Sequence, residues 1–291
     1  MKLLGRVPAG SIVIALLGTF APLPAQMPGA VAAVAAPSRF ALTGSLVQGG
    51  VAIGTAPRGT TLLMFGDVSV PVAADRRFLI AFDRDAPIGA SLTATLENGS
   101  QISESISIAP RGWDISRLST LPKYPVPRPE YERLRPAEVA QINAARRLQT
   151  DAQGWRQSFL WPVTGRISTL FGSQRIYAGE PGSYHSGVDV ARPVGTVVLA
   201  PADGVVILAT PRPFTLEGNL LMVDHGMGLN SAFMHLSRID VKVGEHIRRG
   251  QPIARTGMTG RATGPHLHWG MKWHDSRIDP LLLAGSMPVA D

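Results

Sequence analysis

The chain has 291 residues and a formal net charge of +7, a length that accommodates about two domains. It has no cysteine, which excludes a disulfide framework, a thiolate nucleophile and thiolate metal ligands. Its many glycines and prolines favour strands and turns over helices. The excess of basic over acidic residues predicts an anionic partner. Nucleic acid is excluded as that partner, because the chain has no basic helix with interleaved aromatic residues and no nucleic-acid motif.

Residues 1–36 are predicted to be a signal peptide followed by a tether. Lys2 and Arg6 supply the positive end, and Ile12–Leu17 is the apolar centre. Small residues follow, with two candidate cleavage points, after Ala25 and after Ala35. The pattern predicts an exported protein.

A membrane anchor is the alternative interpretation of this segment. Pro22 and Pro24 interrupt the apolar run before it reaches the roughly 20 residues that a membrane span needs. No cysteine lies near the cleavage region, which argues against a lipid-anchored lipoprotein. We expect a periplasmic or cell-envelope protein with no stable membrane span after cleavage.

Residues 38–110 show short apolar segments separated by turn signals. Asn98-Gly99 stands between two alternating runs, which is a hairpin signal. Six to seven short strands separated by such turn signals predict a small β-sandwich of the immunoglobulin type. The segment has no histidine and no catalytic constellation, so we expect it to act as a spacer, as a docking module or as a cover over a cleft.

Residues 111–157 are predicted to be a proline-rich linker with one helix. Pro136 suits the first position of that helix, and Gly154 suits its end. Apolar side chains recur on one side of it, at Val139, Ile142, Ala145 and Leu148. This helix is expected to pack on a domain or to bridge two domains.

Residues 158–285 combine short strands with glycine turns, which predicts an antiparallel sheet. The runs Val197–Leu199 and Gly204–Ala209 surround a turn and are read as paired strands. The runs Asn219–Val223 and Ser231–Leu236 flank a second turn at residues 225–228. The whole chain is therefore predicted to be mainly β.

Histidines and one aspartate in this last segment have the spacing of a metal site. Side chains alternate along a strand, so His266 and His268 face the same side. His185 and Asp189 stand four residues apart, and His235 lies between the two pairs in sequence. Imidazole nitrogen and carboxylate oxygen are the ligands that Zn²⁺ accepts when no thiolate is available.

Several motifs around these residues occur in one order: His185-Ser-Gly-Val-Asp189, Gly195-Thr-Val-Val-Leu-Ala-Pro-Ala-Asp-Gly204, Val223-Asp-His-Gly-Met-Gly-Leu229, Phe233-Met-His-Leu236 and Gly264-Pro-His-Leu-His268. With them, residues of about 158 to 285 resemble the lysostaphin-type (LytM-like) zinc endopeptidases of bacterial cell walls, which are peptidoglycan DD-metallopeptidases. The resemblance implies an antiparallel β LytM-type catalytic domain with the metal in a groove bounded by loops.

The resemblance also implies a role for each site residue. His185, Asp189 and His268 correspond to the metal ligands of one Zn²⁺ per chain, and His235 and His266 to a catalytic pair that does not bind the metal. The choice of His268 over His266 as a ligand rests on the resemblance, and which of the pair is the base stays open. The implied function is an exported zinc-dependent endopeptidase that hydrolyses the peptide cross-bridges of peptidoglycan with zinc-activated water.

A non-enzymatic wall-binding activator of other cell-wall hydrolases is the alternative function. Relatives of that kind have lost zinc ligands, whereas all five positions are filled here, which favours an enzyme. No protein partner is predicted.

Further residues have weaker signals. Arg175 and Tyr177, in the loop before His185, are candidate substrate-binding residues. Phe233 replaces a tyrosine of many relatives, which puts a substrate contact in doubt. The remaining histidines are expected to be solvated or to stabilise turns, at His225, His246 and His274.

Overall fold

Strands and turns dominate the computed structural model, which describes residues 39–119 and 129–288. The predicted mainly β class is confirmed. These residues belong to one compact unit. The predicted signal peptide and tether lie outside the described residues, as does most of the proline-rich stretch, at Pro122, Pro125 and Pro127. No described helix is long and apolar enough to cross a membrane.

The first part of the unit consists of two antiparallel sheets. One has three strands in the order β1-β2-β5, and the other has four in the order β4-β3-β6-β7. The strands are β1 Ala41–Gly44, β2 Val51–Thr55, β3 Thr60–Phe65, β4 Val68–Ser69, β5 Arg77–Ala81, β6 Gly89–Leu96 and β7 Gln101–Ser107. The predicted hairpin at Asn98-Gly99 joins β6 to β7, because Gly99 has the positive φ that this tight turn requires. The immunoglobulin-type topology and the boundaries of the module stay predictions.

Part of the predicted linker forms a strand. β8, Ile115–Leu118, pairs in parallel with β10, Gln174–Tyr177, and β10 pairs with β11, Glu180–Pro181. Strand β8 is therefore bound to the loop that leads to His185.

The predicted helix exists, but its predicted start and end are wrong. Helix α1 spans Pro129–Arg146, so Pro136 lies inside it. Acidic residues in the first turn, Glu130 and Glu132, favour this earlier start because they complement the positive end of the helix dipole. The end predicted at Gly154 instead begins the short 3-10 turn Gly154–Arg156.

The buried face of α1 also differs from the apolar side that the sequence predicted. Ile142 and Ala145 are buried as predicted, and Glu138 joins them. The carboxylate of Glu138 accepts hydrogen bonds from the backbone N–H and the hydroxyl of Thr215, which makes its burial tolerable. Leu148 lies beyond the end of the helix and is half exposed.

The second part of the unit is built on an eight-stranded sheet with the order β18-β14-β15-β16-β20-β12-β9, and β21 pairs with β20. Its pairings are antiparallel, as predicted. Its strands are β9 Arg166–Thr169, β12 Gly187–Ala191, β14 Gly204–Ala209, β15 Asn219–Gly226, β16 Leu229–Leu236, β18 His246–Ile247, β20 His266–Trp273 and β21 Ser276–Ile278.

A small three-stranded sheet and a short helix complete this part. The sheet has the order β13-β19-β17, and the elements are β13 Val197–Leu199, β17 Arg238–Ile239, β19 Pro252–Arg255 and α2 Pro280–Ala284. The predicted pairing of Val197–Leu199 with Gly204–Ala209 is wrong, because β13 pairs with β19. The Ala200 N–H bonds to the Gln251 carbonyl and thus continues the contact with the β19 side.

One face of the large sheet packs into the core. Leu267 and Trp269 of β20 are fully buried, whereas His266 and His268 alternate with them and face the other side. Phe233 of β16 is also fully buried. A tyrosine hydroxyl at position 233 would lie in the core, so the absence of that hydroxyl removes no contact with substrate at an exposed surface.

His225 is buried in the core, so of the two expectations for it, solvation is wrong, whereas its ring does contact the turn at Asp203. Its Nδ1 lies 2.8 Å from the Asp203 carbonyl, which only accepts, so Nδ1 donates. Its Nε2 therefore accepts from the Ser231 hydroxyl at 2.8 Å, and that hydroxyl accepts from the Trp269 indole at 3.2 Å. Burial lowers the pKa of His225 from 6.5 to about 4, although the bond to Asp203 opposes the change.

Replacing His225 with Gln should make stability less dependent on pH. The unfolded chain takes up a proton near pH 6.5 but folded His225 does so only near pH 4, so stability falls as the pH drops between these values. Above pH 6.5 neutral His225 makes its full contribution to the free energy of unfolding. Roughly 3 kcal/mol of that contribution is lost as the pH falls to about 4. Urea unfolding at pH 7.5 and 4.5 should show that the difference in free energy of unfolding between the native protein and His225→Gln becomes smaller at low pH. The exposed His246→Gln is the control, and a difference that is independent of pH contradicts the prediction.

Candidate metal centre

The candidate site lies where three neighbouring strands meet. Strand β20 stands between β12 and β16. The register sets Asp189 of β12 directly opposite His268 of β20, and Met234, the neighbour of His235, also lies opposite His268. The sheet thus brings together residues that are separated by 79 positions in sequence.

His185 approaches this point from the loop before β12. Its backbone N–H donates to the Ser173 carbonyl, and its carbonyl accepts from the Gly172 N–H. Its ring Nδ1 donates to the Leu170 carbonyl at 3.1 Å. Because Nδ1 carries the proton, the lone pair of Nε2 is directed at the cluster.

Three ligand atoms converge at the site. His185 Nε2 lies 3.0 Å from Asp189 Oδ1 and 3.0 Å from His268 Nδ1, and the last two atoms lie 2.8 Å apart. Three atoms with lone pairs at such distances need a shared positive charge between them. The donor set of two imidazole nitrogens and one carboxylate oxygen fits Zn²⁺.

Burial and hydrogen bonds set the charges of these groups. Burial alone would raise the pKa of Asp189, but its close contacts with the imidazole rings of His185 and His268 outweigh burial and hold that pKa well below its usual range. Burial lowers the pKa of His268. The cluster is therefore an ionised carboxylate beside neutral imidazole, the form in which these side chains bind metal.

His235 and His266 lie beside the cluster with their rings 4.8 Å apart. His235 Nδ1 donates to the Thr259 carbonyl at 2.8 Å, and His266 Nδ1 donates to the Gly264 carbonyl at 2.8 Å. Each ring is thus fixed with an Nε2 lone pair free to accept a proton. His266 Nε2 lies 3.8 Å from Asp189 Oδ1. Burial lowers the pKa of His235 to about 4, so this ring is neutral at neutral pH.

The backbone of His235 is held in a strained conformation, with φ of 61°. Its N–H donates to the Glu217 carbonyl at 2.8 Å. Gly257 lies so close that a Cβ there would come within 2.6 Å of the His235 carbonyl oxygen. The surrounding backbone therefore imposes the position of this ring.

Helix α1 also supports the backbone at His235, through an ion pair with Glu217. Arg135 makes two hydrogen bonds with the Glu217 carboxylate, at 2.6 and 2.8 Å, and the pair is largely buried. Since the Glu217 carbonyl receives the His235 N–H, the ion pair fixes the segment that positions His235. Nothing local in the sequence marks Arg135 or Glu217, because they are separated by 82 positions.

The first part of the chain supports His185 in the same way. The buried Arg84 donates to the Gly172 carbonyl at 3.1 Å and to the Gln174 side chain at 3.1 Å. Its guanidinium also packs on the rings of Trp113 and Tyr184. Residues outside the predicted catalytic segment therefore hold the loop of His185.

The structure brings together all five residues predicted as ligands or catalytic groups. It places the candidate substrate-binding residues Arg175 and Tyr177 in β10. Neither side chain has a hydrogen bond or ion pair with the cluster in the described part of the chain, so their role stays a prediction. His246 is exposed, and His274, in a turn, packs edge-to-face against Trp273.

A three-residue metal cluster with two further histidines beside it, on an antiparallel sheet, is typical of metal-dependent hydrolases. The sequence profile of peptidase family M23 matches residues 183–280. A crystal structure from Pseudomonas aeruginosa assigned to peptidase M23 is 30% identical, with a TM-score of 0.64, and the alignment covers 83% of this chain and 96% of that one. The chain belongs to peptidase family M23.

Relatives that carry a functional name match part of the chain. Peptidoglycan DD-endopeptidase ShyA of Vibrio cholerae is 41% identical over 36% of this chain and 24% of its own length. DD-carboxypeptidase/endopeptidase Mpg of Neisseria meningitidis is 35% identical over 43% of this chain and 29% of its own length. The chain thus aligns with less than a third of the length of either relative.

Replacing Arg135 with Leu should destabilise the protein by roughly 3–5 kcal/mol, because the buried Glu217 carboxylate loses its partner. The double variant Arg135→Leu/Glu217→Gln should recover part of that loss, since it removes the uncompensated charge. Arg133→Leu, an exposed position of the same helix, is the matched control. Urea unfolding measures all three variants, and equal stability of Arg135→Leu and the control contradicts the prediction.

Proposed function

We propose that the chain is an exported zinc endopeptidase that hydrolyses peptide cross-bridges of peptidoglycan. The observation that carries the proposal is the convergence of His185 Nε2, Asp189 Oδ1 and His268 Nδ1 at 2.8–3.0 Å from one another. Three protein ligands leave a fourth position for water, which is the arrangement of catalytic zinc. The substrate is inferred from the relatives ShyA and Mpg, and export follows from a substrate that lies outside the cytoplasm.

In this mechanism His185, Asp189 and His268 would hold one Zn²⁺ per chain. When bound, the ion would lower the pKa of a bound water to about 7 and polarise the scissile carbonyl. Desolvation in the site strengthens both effects.

His235 and His266 are assigned to proton transfer. Each has its Nδ1–H bound to a backbone carbonyl, so each presents Nε2 to the site as an acceptor. One accepts the proton of the attacking water, and once protonated it can donate to the leaving amine. The other, beside it, orients the water or the developing oxyanion. Burial keeps His235 neutral and thus able to accept a proton at neutral pH.

The first test concerns the metal. Protein purified without added zinc should contain about one equivalent of Zn²⁺, the stoichiometry of a three-ligand site. Asp189→Ala removes the shared carboxylate and should lose most of the metal, whereas His246→Ala, at an exposed position, should retain it. Elemental analysis by mass spectrometry measures both. Full zinc retention in Asp189→Ala would show that the ligand assignment is wrong.

The second test separates metal binding from catalysis. His235→Gln should keep the zinc and the fold but lower cleavage of purified peptidoglycan by roughly 100-fold or more, the size of an acid–base contribution. Released muropeptides are identified by mass, which also gives the bond that is cut. A zinc-loaded native protein that releases no muropeptides, but stimulates another wall hydrolase, would support the non-enzymatic activator instead. An unchanged rate in His235→Gln would overturn the assigned role of this residue.

A further inference from the structure

A small basic cavity opens beside the metal cluster, where α1, β16, β20 and β21 meet. Its volume is ≈ 30 Å³, enough for one or two oxygen atoms but not for a whole side chain. Three of its lining residues are cations from three different elements: Arg146 at the end of α1, Lys272 in β20 and Arg277 in β21. The cavity thus combines a small size with an unusual concentration of positive charge.

Two buried donors in this region have no acceptor among the described residues. One is Nε of Arg146, and the other is Nε2 of His268. Because Nδ1 of His268 faces Asp189 and His185 as a ligand atom, its Nε2 carries the proton. A Cβ at Gly270, which lines the cavity, would lie 3.4 Å from this nitrogen. Both donors therefore lack the acceptor that buried polar groups normally have.

Nearby carboxylates do not neutralise the three cations. Asp275 is fully exposed and lies 3.7 Å from Lys272 Nζ, so it contributes little. Asp83 already accepts from the Tyr184 hydroxyl and from the backbone N–H of Arg277. Burial lowers the pKa of Lys272, and neighbouring Arg146 lowers it further. An anion in the cavity would relieve this repulsion and supply the acceptor that Arg146 Nε lacks among the described residues.

The cavity lies on the strand that carries the metal ligand. Lys272 stands four residues after His268, so the two side chains face the same side of β20, roughly 14 Å apart at 3.4 Å per residue. Asn230 and Met234 of β16 lie opposite Lys272 and His268 respectively, and both line the cavity. An extended peptide with its scissile bond at the metal cluster reaches Lys272, at the far end of the cavity, with a group about four residues away.

We propose that this cavity is a subsite for a carboxylate of the substrate peptide, held by Arg146, Lys272 and Arg277. The inference rests on the proposed function, because it takes the substrate to be a stem peptide of peptidoglycan, whose free carboxylates are its anionic groups. The subsite selects a cross-linked peptide by charge and sets its register on the sheet, and the cluster carries out the hydrolysis. Arg146 makes the end of α1 part of the substrate site.

The experiment compares two soluble cross-linked stem peptides that differ only in their free carboxylates, which are amidated in the second. The zinc-loaded protein should cleave the free acid with a kcat/KM roughly 10- to 100-fold higher, the value of a hydrogen bond to a charged group. Lys272→Gln should lower kcat/KM for the free acid by roughly tenfold and leave the amidated peptide unchanged. Arg277→Gln, at an exposed position, is a second variant that loses one charge. Arg248→Gln, exposed at the opposite edge of the sheet, is the control.

A binding measurement separates this proposal from the proposed function. The dissociation constants of the free and amidated peptides for the metal-free protein should differ by a similar factor, and Lys272→Gln should abolish the difference. Equal affinities and equal cleavage of both peptides would overturn the subsite and leave the endopeptidase standing. Cleavage of neither peptide, with the difference in affinity preserved, would overturn the endopeptidase and leave an anionic peptide site.

Discussion

The antiparallel pairing of β12 with β20 is the constraint on which the site depends. It sets Asp189 directly opposite His268, and their side chains meet at 2.8 Å. Side-chain alternation along β20 then places His266 on the same face, while Leu267 and Trp269 bury the opposite face. A slip of one residue would turn the histidines into the core, so burial of the apolar set also fixes the geometry of the cluster. Gly187, the first residue of β12, lets the strands approach, because a Cβ there would lie 2.4 Å from the Trp269 carbonyl.

The residues that do not lie on this strand pair are held by distant parts of the chain. His185 depends on a loop whose Gly172 carbonyl is bound by Arg84, and β8 pairs with the same loop. His235 adopts a strained backbone that an isolated strand would not hold. Arg84, β8 and Arg135, which pairs with Glu217 beside His235, all lie outside the segment that matches the M23 profile. The sheets before residue 119 and helix α1 therefore contribute to the position of the site residues as well as to the fold.

Burial gives neighbouring histidines different roles. His225 is enclosed by the Asp203 carbonyl and the Ser231 hydroxyl, so all its hydrogen-bonding capacity is used within the core. His235 uses only one nitrogen in this way, and its other nitrogen has no hydrogen-bond partner among the described residues. His268 has one nitrogen in the cluster and one without a partner in the described chain. The same side chain is thus a core residue where the fold satisfies both nitrogens, and a candidate proton acceptor or metal ligand where it satisfies only one.

The sequence alone determined the mainly β class and the hairpins at Asn98-Gly99 and at residues 225–228, and its resemblance to a known family pointed to the five residues that the fold brings together. The hairpins could be predicted because period-two alternation and turn residues are local features of neighbouring positions. The burial of Glu138 in α1 against Thr215, the pairing of β13 with β19 and the burial of His225 were decided only by the tertiary structure, because each depends on partners far along the chain. The same holds for Arg84, Arg135 and the cations of the cavity. An isolated arginine has no pattern in sequence, and its role arises only when the fold buries it against a carbonyl, a carboxylate or another charge.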